Sequence, residues 1–215
     1  MTDNYGFEEV PLASLRPGTT VLVAGPSHAG TRHLAFRMLS GPPDEGAILV
    51  STNQRAGRIA DDWARSGFDL DADRAAILDC VGDDDQNVPA QVLSVSGPSD
   101  LTGIGMRYSD VYRTFRESGV ERVRTGLFSV STLLSFGDLQ TVSRFVHTLV
   151  GRIDAVDGIG VFCIDPGMHD EQTVSTITQF CSARIDVRET DTGQQLRARG
   201  VPDQPREWVD FDVSE

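Results

Sequence analysis

The segment 24–39, AGPSHAGTRHLAFRML, contains the residues whose types and spacing could do chemistry. Gly25 and Gly30 lie five residues apart, between an apolar run and an amphipathic stretch. Glycines at this spacing let backbone N–H groups turn toward an anion at a helix N-terminus, where the helix dipole adds partial positive charge. The segment therefore has the layout of a phosphate-binding loop. Its candidate nucleotide-binding residues are Gly25, Pro26, Ser27, His28, Ala29, Gly30, Thr31 and Arg32.

Two positions of this loop depart from what phosphoryl transfer uses. The full pattern G-x-x-x-x-G-K-[ST] places a lysine on the β- and γ-phosphates and a hydroxyl on magnesium. Thr31 occupies the lysine position and Arg32 the hydroxyl position, and the chain contains no lysine at all. Arg32 could bind a phosphate, but its guanidinium is bulkier and is turned by about 100° around the helix relative to position 31. The alternative is a tight strand-to-helix turn that keeps its glycines for backbone reasons only.

The charge balance limits the class of partner. Asp and Glu number 32 against 19 basic residues, all of them arginine, and the formal net charge is -13. An acidic shell without lysine is typical of proteins from a salt-rich cytoplasm, such as that of salt-loving archaea, because exposed carboxylates hold water. The same acidity makes nucleic acid an unlikely partner, since binding there depends on Lys and Arg neutralising phosphates. We interpret the arginine-rich segment 107–124 as a charge-laced helix face.

Other reactive side chains form no pattern. Cys80, Cys163 and Cys181 lack C-x-x-C spacing and fall in apolar segments, so we expect buried thiols rather than disulfides or a metal site. The four histidines show no ligand spacing; "HDE" at 169–171 could bind a cation weakly, but a solvated helix start is the preferred interpretation. The apolar runs are too short to span a membrane and the N-terminus lacks a signal region, so we expect a cytoplasmic chain.

Strand-like and helix-like blocks alternate along the sequence, which predicts an α/β fold with a mainly parallel sheet flanked by helices. Strands are predicted at 19–24, 47–51, 75–80, 123–130 and 159–164, and helices at 31–40, 55–66, 105–118, 139–154 and about 170–181. The tail predicts a C-terminal β-hairpin around "DTG" and an edge strand in "REWVDFDV". Polar loops are predicted at 82–89 and 96–100, and the whole chain, 1–215, is expected to form a single domain.

The order of these elements, with several motifs, resembles the RecA-like P-loop ATPases, and within them the archaeal KaiC/RadA-type branch, over nearly the whole chain. "VPLASLRPGTTVLVAGPSHAGT" is similar to the opening of that branch, and "GAILVSTNQ" to its second strand. "GLFSVSTLL" at 126–134 is similar to the fourth strand, whose motif continues Asp-Ser-x-[ST]-x-[LI]-[LI]. "DLTGIGMRYSD" and "DPGMHDEQTVSTITQFCSARIDV" resemble segments of a haloarchaeal subgroup of RecA- or KaiC-like proteins with no assigned role. The resemblance implies a RecA-like twisted sheet.

The resemblance also implies that three catalytic parts are substituted. The loop cation is replaced by Thr31, with Arg32 beside it. The family's catalytic glutamate falls at Asn53 or an immediate neighbour, none of which is a carboxylate that could activate water. Phe128 stands where the magnesium-coordinating aspartate would be, and an apolar ring cannot orient a metal-bound water. The loss of all three indicates that hydrolysis is not maintained.

One surface motif of the family is retained. "LRARG" at 196–200 resembles a late [KR]-x-R-G element that, in assembled rings, reaches toward the nucleotide of the neighbouring subunit. The resemblance therefore gives Arg197 and Arg199 an inter-subunit role. A hairpin strand that carries two solvated arginines is the alternative.

We therefore expect a catalytically degenerate RecA/KaiC-like domain, a pseudo-ATPase without catalytic or metal-binding residues. It would act as a regulatory, signalling or scaffold protein, through a protein partner or as a homo-oligomer. A first alternative is a nucleotide-binding protein, with ATP or ADP held by the loop amides and Arg32 and little or no hydrolysis. A second is an accessory recombination or DNA-repair paralogue, which follows from kinship and is opposed by the acidity.

Overall fold

Nine strands form the centre of the described part of the chain. The structure is a computed structural model, and it describes residues 3–8, 10–67, 70–82 and 88–212. The strands are β1 (Thr20–Ala24), β2 (Glu45–Ser51), β3 (Ala75–Asp79), β4 (Gln91–Ser94), β5 (Arg122–Phe128), β6 (Ile159–Ile164), β7 (Ala183–Thr190), β8 (Gly193–Arg199) and β9 (Val209–Phe211). All join one sheet in the order β4-β3-β2-β5-β6-β1-β7-β8-β9. The strands from β4 to β7 run parallel, and β8 and β9 extend the sheet antiparallel.

Helices cover both faces of the sheet. Within the described ranges they are α1 (Thr31–Leu39), α2 (Ala56–Arg65), α3 (Leu101–Glu117), α4 (Val130–Phe136), α5 (Leu139–Asp154) and α6 (Glu171–Thr178). The last four each begin with a side chain that accepts a hydrogen bond from the N–H group three residues later, as helix N-caps do. These caps are Asp100, Ser129, Asp138 and Asp170. No helix among the described residues combines the length and apolarity that a membrane crossing requires.

The sheet separates two hydrophobic clusters. Because side chains alternate along a strand, Val21 and Val23 of β1 point to one face while Leu22 and Ala24 point to the other. The first face packs against α1, α2 and the N-terminal segment, and the second packs against α3, α4, α5 and α6. Since strands buried on both faces need a continuous apolar run, this arrangement explains the short runs that predicted the central strands.

A buried ion-pair cluster joins the N-terminal segment to the amino ends of β2 and β5. Glu45 Oε2 accepts a hydrogen bond from Arg124 Nε at 2.5 Å, and its Oε1 accepts one from Arg122 Nε at 2.8 Å. Arg124 is 1% exposed and donates to the backbone carbonyls of Met38 and Gly6, at 2.9 and 3.1 Å. The contacts satisfy a guanidinium that is almost completely removed from water, which a single carboxylate could not do alone.

The predicted α/β fold, with a mainly parallel sheet and a C-terminal hairpin, is confirmed. Several boundaries differ. The predicted strand 123–130 is too long, because the chain turns at Ser129 and enters α4, a helix that the sequence did not predict. Strand β4 was also unpredicted, α3 begins at Leu101 rather than 105, and α6 ends at Thr178. Of the predicted loop at 82–89, residues 83–87 lie outside the described residues.

Candidate functional site

A cleft of about 260 Å³ opens at the carboxyl edge of the sheet, where β1, β5 and β6 end. Ligands of open α/β sheets bind at this edge, beyond the strand ends. The cleft brings together part of the residue set singled out from the sequence, namely Gly25, Ser27, Thr31, Arg32, Asn53 and Phe128. His28 and Gly30 line a neighbouring pocket of about 320 Å³ between α1 and α2, which Arg32 also borders.

The glycine loop is closed by its own hydrogen bonds. Residues 27–29 form a single 3₁₀ turn, and the Pro26 carbonyl accepts from Ala29 N at 3.1 Å and from Thr31 Oγ1 at 2.8 Å. Gly30 then adopts the left-handed conformation, with φ 81° and ψ 6°, which favours glycine. The Thr31 hydroxyl, which the sequence pattern predicts at the position of a P-loop lysine, is therefore engaged by the loop itself.

Gly25 is required by a close approach of neighbouring chain segments. A Cβ atom at this position would lie 2.6 Å from Thr31 Oγ1 and 2.8 Å from the Val187 carbonyl oxygen on β7. Its amide donates to the Ile164 carbonyl at 3.1 Å, which continues the pairing of β1 with β6. Packing and strand pairing thus account for this glycine without any ligand.

Arg32, the cation that could replace the missing lysine, is directed toward α2. Its Nη1 lies 3.6 Å from Asp62 Oδ2. The same carboxylate is 3.5 Å from Arg58 Nε and also pairs with Arg65. Arg32 Nη1 is buried and makes no hydrogen bond within the described part of the chain. The guanidinium is therefore positioned by a carboxylate it shares with two other arginines.

The turn after β2 carries the residues that the resemblance implies to be at the catalytic-glutamate position, and Thr52 and Asn53 have different surroundings. Thr52 is buried; its hydroxyl donates to the Phe128 carbonyl at 2.9 Å and accepts from Ser129 N at 2.7 Å. It therefore fixes the end of β5 to the end of β2. Asn53 is exposed and lines the cleft, where its amide can exchange hydrogen bonds but cannot take up a proton as a carboxylate would.

Phe128, which the resemblance implies to be at the position of a magnesium-binding aspartate, is a core residue as well as a lining residue. It is 1% exposed, and its ring stacks on that of Phe36 with centroids 4.9 Å apart. Among the described residues, no group of three His, Cys, Asp or Glu side chains is placed to hold a metal ion. Cys163 in the cleft floor is buried, and burial raises the pKa of its thiol to about 12.

Hydroxyl groups form much of the remaining wall, and the sequence analysis did not single them out. They come from α4 and its N-cap residue and are those of Ser129, Ser131, Thr132 and Ser135. Ser131 Oγ accepts a hydrogen bond from Asp165 N at 2.9 Å, which ties α4 to the end of β6. Among the described lining residues, Asp165 is the only carboxylate. The run "SVSTLLS" was the available signal, but its interpretation as a strand end concealed the helix.

Two large apolar side chains stand at the cleft. Phe136, at the end of α4, and Met168, after β6, both line it and are each 61% exposed. They are two of the four exposed large hydrophobic residues in the described part of the chain. A pair of apolar side chains at one opening is more informative than isolated exposed residues, which are normal on protein surfaces.

Arg197 and Arg199 lie outside the cleft, on β8. Both contact Asp186 of β7 within the same chain, Arg197 through Nη2 at 3.4 Å. The structure therefore does not bring them together with the glycine loop residues that line the cleft. Their inter-subunit role stays a prediction.

Comparisons with known proteins identify a sequence family that matches the chain and solved structures that have a similar fold. The sequence profile of DUF7504, a family of unknown function, matches residues 18–187. A KaiC-like protein from the hyperthermophilic archaeon Pyrococcus horikoshii OT3 has a similar structure, with a TM-score of 0.65 at 14% identity, covering 92% of this chain and 87% of that one. An uncharacterized protein from Pyrococcus horikoshii, in complex with an unknown peptide, has a TM-score of 0.71 at 13% identity, with coverage of 93% and 90%. No curated protein matches the sequence. At these identities the structural likeness shows the fold alone.

Proposed function

The chain belongs to the family DUF7504 and has a RecA/KaiC-like fold, and from this premise we propose that it acts by binding another protein, not by hydrolysing a nucleotide. In this proposal it is a degenerate member of the superfamily with a regulatory, signalling or scaffold role. The observation that carries the proposal is the composition of the cleft, in which each residue at a catalytic position is occupied in holding the fold together or lacks the required chemistry.

Phosphoryl transfer needs a phosphate cation, a residue that orients the nucleophile and a magnesium ligand. At the first position the Thr31 hydroxyl bonds to the Pro26 carbonyl, while Arg32 is drawn to Asp62. At the second, Asn53 offers an amide in place of a carboxylate. At the third, Phe128 is packed in the core. The substitution of all three parts supports the proposal that the domain keeps the fold of the superfamily without its hydrolytic activity.

The opening of the cleft supports a polypeptide as the partner. Phe136 and Met168 provide exposed apolar surface, and the hydroxyls inside the cleft can both donate and accept hydrogen bonds. An apolar anchor surrounded by polar groups is the usual composition of a protein-binding surface. The presence of an unknown peptide in one structure of similar fold is consistent with such use of the fold.

A hydrolysis assay tests the proposal. Phosphate release from ATP or GTP would be measured with magnesium in molar potassium chloride, because the acidic, lysine-free composition favours salt. We expect no turnover above the protein-free background. Robust magnesium-dependent turnover that falls at least tenfold in an Asn53→Ala variant would contradict the proposal, because it would place hydrolysis in the cleft. Asn53 is exposed, so this variant should keep its fold.

A second candidate function is nucleotide binding without hydrolysis. Two observations favour it: α1 begins at Thr31 and its N-cap residue, Gly30, offers no side-chain cap, and Arg32 Nη1 has no hydrogen-bond partner in the described residues. The first-turn N–H groups of a helix attract anions, so a phosphate group could lie against this turn and recruit Arg32. The same geometry serves equally well as an unliganded corner of the fold.

Thermal melting separates the two candidates. A ligand that binds only the folded state at 100 times its Kd adds about 2.7 kcal/mol, which should raise the Tm of a chain of this size by roughly 5 °C or more. We expect no shift with millimolar ATP, ADP or GTP. A shift that grows with the logarithm of nucleotide concentration, and that Arg32→Gln reduces, would establish the second candidate instead.

A further inference from the structure

The antiparallel end of the sheet carries a cluster of arginines on one face. Arg184 and Arg188 lie on β7, and Arg197 and Arg199 lie on β8, with Trp208 just before β9; we call this set the arginine face. The register explains the clustering, because Arg184 is opposite Arg199 and alternate residues of neighbouring strands share a face. None of these five residues lines the cleft.

One carboxylate is shared among three of these guanidiniums. Asp186 Oδ1 accepts from Arg184 Nε at 2.7 Å, while its Oδ2 contacts Arg199 and lies 3.4 Å from Arg197 Nη2. Burial by itself would raise the pKa of Asp186, but the hydrogen bond from Arg199 and the charge of Arg184 outweigh it and lower the pKa. The aspartate is therefore ionised, and it neutralises only one of the three cations.

Trp208 and Gln195 hold the guanidiniums in place. The Cζ atoms of Arg188 and Arg197 lie 4.0 and 4.5 Å from the centroid of the Trp208 ring. Arg188 also donates to Gln195 Oε1 from Nε at 3.0 Å and from Nη2 at 2.7 Å. Stacking on an aromatic ring orders the planar groups while leaving further N–H donors available. Such preordering lowers the entropy that a binding partner must overcome.

The charge of this face is opposite to that of the molecule. Four arginines against Asp186 and Asp210, which accepts from Gln195 Nε2, leave it at +2. Because the formal charge of the chain is -13, the rest of the chain carries -15. The side chain of Arg199 is 55% exposed, and Arg188 is exposed as well, so the charge is accessible to a partner.

We propose that the arginine face docks an extended, acidic segment of another protein. Alternate residues along a β-strand are separated by about 6.5–7 Å, both in β8, where Arg197 and Arg199 are alternate residues, and in an extended peptide. Acidic residues at every second position of the peptide would therefore match Arg197 and Arg199, and those four positions apart would match Arg184 and Arg188, which flank Asp186 on β7. Each carboxylate could accept two parallel N–H bonds from one arginine. This docking surface is separate from the cleft, so a test of the docking proposal is independent of a test of the proposed function.

Charge distribution favours an acidic polypeptide over a nucleic acid strand. A polynucleotide carries a phosphate at every residue and would continue beyond the patch, over a surface that carries the remaining -15. A peptide can concentrate its carboxylates where the arginines lie and present neutral residues elsewhere. The charge complementarity is therefore confined to the arginine face.

The test uses a fluorescein-labelled ten-residue peptide of alternating Asp and Thr, with an alternating Asn and Thr peptide as its neutral counterpart. Binding is followed by fluorescence anisotropy in 0.3 M potassium chloride, a concentration chosen at roughly twice physiological ionic strength. We expect the acidic peptide to bind at least tenfold more tightly than the neutral one. The double variant Arg188→Gln/Arg199→Gln should weaken binding at least tenfold. Arg113→Gln, on the exposed face of α3, should change it less than twofold.

The tryptophans give a readout that does not require the double variant. Of the two tryptophans in the chain, Trp63 is fully buried and Trp208 lies on the arginine face. The acidic peptide should therefore change the intrinsic fluorescence of the unmodified protein, and Trp208→Phe should remove that change. Failure of the acidic peptide to bind, equal binding of the neutral peptide, an equal loss in Arg113→Gln, or tighter binding of a ten-nucleotide oligothymidylate would each overturn the proposal.

Discussion

Replacing Glu45 by alanine is expected to lower the free energy of unfolding by about 3–5 kcal/mol, because it leaves a buried arginine without its carboxylate. Arg124 is 1% exposed and would keep only its bonds to backbone carbonyls. Arg122, which lies 3.9 Å from the Tyr5 ring centroid, would lose the same partner. A loss of this size is a large part of the 5–15 kcal/mol typical of a domain. Urea unfolding in molar potassium chloride, followed by circular dichroism, measures it.

An exposed ion pair provides the matched control. Asp110 and Arg113 on α3 are 3.0 Å apart, but their side chains are 45% and 69% exposed. Asp110→Ala should therefore change the free energy of unfolding by no more than about 1 kcal/mol. If Glu45→Ala cost no more than this surface substitution, the interpretation of the buried cluster as a fastening of the N-terminal segment would be wrong.

Replacing Phe128 by aspartate, the residue that the family resemblance implies at this position, is expected to unfold the protein and not to produce hydrolysis. Removing the ring of a buried phenylalanine costs about 3–5 kcal/mol, as in Phe→Ala substitutions. A carboxylate in its place adds the penalty of moving a charge into a position that is 1% exposed and packed against the Phe36 ring. Phe128→Asp should therefore remove most or all of the stability. Thermal unfolding and the hydrolysis assay, carried out together, measure both consequences.

Phe128→Leu distinguishes loss of volume from the introduction of charge. Leucine keeps most of the contact with Phe36, so the cost should remain within about 1–2 kcal/mol and the melting transition should stay cooperative. A Phe128→Asp variant with the melting temperature of the unmodified chain would contradict the assignment of this side chain to the core. Magnesium-dependent hydrolysis by that variant would further show that the cleft retains the rest of the catalytic apparatus.

Elements with long, uninterrupted patterns were predictable from the sequence, and elements that depend on pairing were not. The stripe of α5 and the apolar runs of β1 and β6 specify their own state, because burial on one or two faces fixes the periodicity. Strand β4 has four residues, none of them buried, and becomes a strand by pairing with β3. The seven-residue helix α4 follows β5 almost directly, so its apolar residues appeared to continue the strand.

The candidate site divides in the same way. The spacing of the glycines located the loop at a strand end, where the structure has it. The directions of its side chains depended on residues far along the chain: Arg32 is drawn to Asp62, and Thr52 is bonded to the end of β5. The arginine face arose from a hairpin register that groups residues from two strands. The spacing of residues within one segment contains no information about contacts with residues far away in the sequence.

The closed glycine loop has a consequence for how such a protein could have arisen. Its Pro26 carbonyl is satisfied by Ala29 and Thr31, and Gly25 is fixed by its contact with Val187. The corner therefore contributes to folding with nothing bound, so selection for stability alone is sufficient to retain both glycines. Substitutions around the loop that spare these contacts would leave intact the corner on which the first helix is built. A glycine spacing of this kind is evidence of architecture before it is evidence of a reaction.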